Sequence, residues 1–82
     1  MKATYYAIVD EETTRDHPAG VLRRIEHEGG EHDEAFTRRL MWEKSWSLYS
    51  AERGDTQNEF IPISEEEAER IVERIRREVT ER

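Results

Sequence analysis

Ser64-Glu65-Glu66-Glu67-Ala68-Glu69-Arg70-Ile71-Val72-Glu73-Arg74-Ile75-Arg76-Arg77-Glu78-Val79 is the stretch on which the fold turns. Ala68, Ile71, Val72, Ile75 and Val79 recur at spacings of three and four, so an α-helix gathers them into one apolar stripe. Ser64 followed by Glu67 is a capping box, which satisfies backbone donors that the first turn leaves open. Glu65, Glu66 and Glu67 sit at the positive end of the helix dipole, and Arg76, Arg77 and Arg82 sit near the negative end. Glu66 to Arg70, Glu73 to Arg77 and Glu78 to Arg82 are spaced for i,i+4 pairing in the favourable order. The pattern predicts a helix over 64–81 that must lay its stripe on another apolar surface.

Upstream of the helix, that surface reads as a sheet. Ala3-Thr4-Tyr5-Tyr6-Ala7-Ile8-Val9 is rich in β-branched and aromatic residues and apolar on both faces, as in a strand inside a sheet. Residues 10–20 form a polar loop punctuated by Pro18 and Gly20. Val21-Leu22-Arg23-Arg24-Ile25-Glu26-His27 is a second strand, and Gly29-Gly30 signals a turn. Read as a strand, residues 35–43 put Phe36, Arg38, Leu40 and Trp42 on one face. Their order of apolar residue, Arg-Arg, apolar residue repeats that of 21–25 and suggests a hairpin. Ser45 is a candidate N-cap for a short helix over 45–53 that Gly54 ends, and 55–58 is a loop. Glu59-Phe60-Ile61-Pro62-Ile63 is an edge strand, since Pro62 cannot donate to a ladder. The expected fold is a single α+β domain over 1–82: a small, mostly antiparallel sheet of three to four strands with the C-terminal helix on one face.

Composition narrows the functions available. Eighty-two residues are too few for a cofactor-binding βαβ fold, and the absence of cysteine removes disulfides, thiolate metal sites and thiol nucleophiles. No apolar run approaches the roughly 20 residues that span a bilayer, and the amino-terminal residues show no secretory signal, so a cytoplasmic location is expected. The net charge of −7 opposes nucleic acid over the molecule as a whole. Charge is unevenly placed: residues 10–34 carry nine acids and three arginines, whereas 35–53 carry two acids and four bases.

Three constellations are candidates for function. Trp42, Trp46 and Tyr49 with Arg38 and Arg39 combine the residue types enriched at interface hot spots, which points to a protein partner or a homodimer. The competing reading places both tryptophans in the core. Arg23, Arg24, Lys44 and Arg53, interleaved with aromatics over 36–53, are the alternative: phosphate contact and base stacking on single-stranded nucleic acid. His27, His32 and Asp33 are weak metal candidates. The run His27-Glu28-Gly29-Gly30-Glu31-His32 fails both helical zinc-protease spacings, and paired glycines oppose the helix those motifs need. Asp16-His17 is only a sequence neighbour pair, and no Gly-x-Ser-x-Gly elbow or phosphate loop is present. No cofactor and no catalytic role are expected.

Tyr5-Tyr6-Ala7-Ile8-Val9-Asp10, Pro18-Ala19-Gly20-Val21-Leu22-Arg23-Arg24, Asp33-Glu34-Ala35-Phe36, Glu52-Arg53-Gly54-Asp55 and residues 63–72 together resemble short uncharacterised α+β proteins of actinobacteria. The resemblance implies a bacterial cytoplasmic origin and brings no activity, ligand or site residue with it.

Overall fold

The computed structural model describes residues 2–54 and 58–81. Its elements are β1 (Lys2–Val9), β2 (Gly20–His27), β3 (Gly30–Phe36), β4 (Trp42–Lys44), α1 (Ser47–Glu52), β5 (Glu59–Ile63) and α2 (Glu65–Thr80). The strands form one antiparallel sheet in the order β4-β3-β2-β1-β5. The architecture is α+β as expected, with five strands where three to four were anticipated. β1 lies inside the sheet, and β5, which holds Pro62, lies at its edge.

The difference arises at residues 35–43, which do not form one strand. Ala35 and Phe36 close β3, residues 37–41 turn, and Trp42 opens β4. The Leu40 amide donates to the Thr37 carbonyl at 2.9 Å, and Leu40 takes a φ of 61°, a left-handed conformation that costs a branched residue energy. The acidic run Glu31–Glu34 therefore extends as a strand although its composition suggests a loop. Its partner across the ladder explains this. Val21 faces Phe36, and because the chains run antiparallel, Arg23 faces Glu34 and Arg24 faces Asp33. The arginine doublet thus meets carboxylates rather than the Arg38-Arg39 doublet. Gly30, at a φ of +128°, closes this hairpin opposite His27. Gly20 is required where β2 begins, because a Cβ there would lie 2.6 Å from the Phe36 carbonyl oxygen.

Each sheet face carries its own cluster. On one, Val21 and Phe36 pack with Ala68, Val72 and Ile75 of α2, flanked by Tyr5, Trp42, Ile63, Ile71 and Val79. The apolar stripe of the C-terminal helix therefore lies on the sheet. Ser64 caps this helix through its Oγ, which accepts from the Glu67 amide at 3.1 Å. Fully buried Val21, Leu22, Phe36 and Ile75 each contribute about 1.5–3 kcal/mol. On the other face, Ile8 and Leu22 meet Leu48 of α1, with Tyr6, Ala35 and Phe60 at the margin. A six-residue helix is a small cover for that face. The residues expected as a loop over 55–58 lie outside the described residues except Asn58, and the expected Glu78–Arg82 pair also involves a residue outside them.

Candidate functional site

Arg24 organises the site at the β3–β4 edge. Its Nε and Nη2 donate to the two carboxylate oxygens of Asp33 at 2.8 and 3.0 Å, and Nη2 also donates to Glu52 Oε1 at 3.0 Å. Glu31 stands 3.8 Å away. Asp33 is only 8% exposed, so the fork-shaped pair is largely removed from water. The hydrogen bonds that Arg24 donates to Asp33 and Glu52 hold its guanidinium charged well above its usual range. One side chain thereby ties β2, β3 and α1 together.

The chain then reaches α1 with its aromatic face outward. The Ser45 amide donates to the Asp33 carbonyl at 2.9 Å, and its Oγ accepts from the Ser47 amide at 3.2 Å. Trp46, not Ser45, occupies the position before the first helical residue, one place later than expected. Leu48 points into the sheet, which leaves Trp46 and Tyr49 outside at 64% and 50% exposure. Their rings meet edge to face, 6.4 Å between centroids at 80°. Lys44 Nζ lies 4.8 Å from the Trp46 ring centre, and the Arg53 guanidinium lies 5.5 Å from that of Tyr49 while donating to its hydroxyl at 3.1 Å. Between these rings and the Arg24–Asp33 pair lies a cleft of about 140 Å³, which Lys44 and Ser45 also line. This is well under the roughly 300 Å³ at which small-molecule sites begin.

The expected groupings separate in space. Trp42 is half-buried in the cluster under α2, tilted against Phe36 at 5.5 Å and covered by the Arg23 guanidinium at 3.9 Å. Arg38 and Arg39 stand exposed on the turn before β4, where Arg39 pairs with Glu43 at 3.0 Å. Arg38 lines a hollow with Arg74, Ile75 and Glu78 on the α2 side. Of the five expected interface residues, Trp46 and Tyr49 thus share the surface of α1. Nor do Arg23, Arg24, Lys44 and Arg53 form one strip. Successive strand residues point to opposite faces, so Arg23 pairs with Glu34 beneath α2 while Arg24 pairs with Asp33 on the α1 side.

His27 and His32 do approach, with Nε2 and Nδ1 3.3 Å apart. The Gly29 amide donates to His27 Nδ1 at 3.2 Å, so the neutral ring carries its proton on Nε2, the atom a metal would need bare. Asp33 is committed to Arg24. No group of three His, Asp or Glu set to hold an ion occurs among the described residues. Asp16 and His17 lie in a polar turn, as read, and the His17 ring contacts Glu78 at 3.0 Å. Glu52 and Glu31 join the site unforeseen. The legible signal was the symmetry of Arg23-Arg24 and Asp33-Glu34 about the glycine turn, which a two-residue hairpin places opposite one another.

Against known proteins, the chain matches no family model, no curated protein and no solved structure. No described helix is long and apolar enough to cross a membrane.

Proposed function

We propose that this protein is a non-enzymatic interaction module that self-associates through Trp46 and Tyr49. The observation that carries this reading is two large aromatic rings held exposed by a buried Leu48, beside a cleft sized for one side chain. Exposed apolar rings cost hydration free energy, and covering them with a partner recovers it. A second copy is the occupant favoured by the sheet. β4 is one of its two edge strands, three residues long and next to Trp46, and pairs only with β3 among the described residues. A two-fold contact there sets each indole against the facing cleft, as a self-complementary interface requires. The nucleic-acid reading is weaker, because Arg23 and Arg24 lie on opposite faces with carboxylates already in place.

Sedimentation of the wild type and Trp46→Ala tests the proposal. The wild type should shift to twice the monomer mass as concentration rises, and the variant should stay monomeric with an unchanged circular-dichroism spectrum. A wild type that remains monomeric throughout, or a variant that associates equally well, overturns the reading.

A further inference from the structure

On the other side of the molecule, the turn over 14–18 is clamped to α2. The His17 amide donates to the Thr14 carbonyl at 3.1 Å and closes the turn. Arg74 Nη2 donates to the Pro18 carbonyl at 2.6 Å, and His17 Nε2 meets Glu78 at 3.0 Å. The two ties hold Arg15, at the turn's tip, beside the helix. A groove of about 420 Å³ opens between them, bordered by Arg15, Arg70 and Arg74. Asp16 and Glu67 also border it, so the local formal charge is positive by one in a chain of net charge −7.

Three features single this groove out. Arg15 and Arg70 make no ion pair or hydrogen bond among the described residues, although the chain has 20 acids for 13 bases. Arg70 and Arg74 stand at i,i+4, a spacing at which like charges repel. Arg74, the third guanidinium of the wall, is held in place by its bond from Nη2 to the Pro18 carbonyl at 2.6 Å. An anion between the guanidinium groups relieves the repulsion and takes paired N–H donors in the planar geometry that suits phosphate. Ile71 and Pro18 supply an apolar wall, and the volume lies within the roughly 300–1,000 Å³ of small-molecule sites. We infer that this groove binds the phosphate group of a small molecule, with Arg15 and Arg70 as its principal contacts.

The test is an NMR titration of the full chain with pyrophosphate and, separately, with a nucleoside diphosphate. Both should shift amide resonances within 14–18 and 67–74, and tighter binding of the nucleoside would place its ring against Ile71 and Pro18. Equal affinity would mean that the phosphates alone are read. Arg70→Gln and Arg15→Gln, both at exposed positions without partners, should each weaken binding about tenfold, the effect of losing one charged hydrogen-bonding group. Arg39→Gln and Trp46→Ala should leave it unchanged, which separates this site from the self-association surface. Shifts of equal size around Arg38 and Arg39, or an Arg70→Gln variant that binds like the wild type, overturn the inference.

Discussion

The two tryptophans are four residues apart and fare differently, because one faces the long helix and the other faces water. Trp42→Ala removes a ring wedged between Phe36 and Arg23, and should cost about 2 kcal/mol, less than a fully buried ring would. Trp46→Ala should change stability by less than about 0.5 kcal/mol, since its ring touches mainly Tyr49 and Lys44 at the surface. Urea unfolding of both variants measures the contrast. Glu78 makes a second prediction of this kind. The hydrogen bond from His17, aided by Arg74, holds its carboxyl below the ordinary value of 4.5. A carboxyl lowered in the folded state stabilises the fold above 4.5 and loses that contribution as the pH falls through its folded value. The wild-type melting temperature should therefore drop more steeply below pH 4.5 than that of Glu78→Gln. Parallel pH profiles would refute the assignment.

Secondary structure was legible where periodicity and local chemistry agree, as in α2 with its Ser64 cap and its stripe through Ala68, Val72 and Ile75. It was misread where they conflict. Residues 30–34 look like a solvated acidic loop, yet they extend because Arg23 and Arg24 supply the opposite charges across the ladder. Residues 37–41 look like strand but turn at Leu40, which accepts a left-handed backbone while its side chain packs against the cluster under α2. Leu40→Gly and Leu40→Ala lose the same packing contact, whereas only glycine relieves the backbone. The glycine variant should therefore be the more stable of the two by roughly 1 kcal/mol, against the usual order of these residues. Thermal denaturation of the pair decides it, and an alanine variant at least as stable would show that Leu40 bears no strain.

As a whole, the molecule is a small acidic body with a well-covered sheet face and a thinly covered one. Two copies of net charge −7 repel at long range, so self-association through aromatic rings should tighten as ionic strength rises from about 10 to 150 mM. Binding to single-stranded nucleic acid would weaken over the same range, so light scattering across a salt series separates the two readings by the sign of the change. The α+β class, the long amphipathic helix, the edge strand with Pro62 and the glycine turn all followed from residue order, because propensity, capping and hydrophobic period act over a few neighbours. The fate of each tryptophan, the splitting of Arg23 from Arg24 and the gathering of Arg15, Arg70 and Arg74 around one groove did not. These depend on which face of the sheet each residue occupies and on which distant carboxylate or carbonyl lies opposite, and only the packed chain brings such partners within reach.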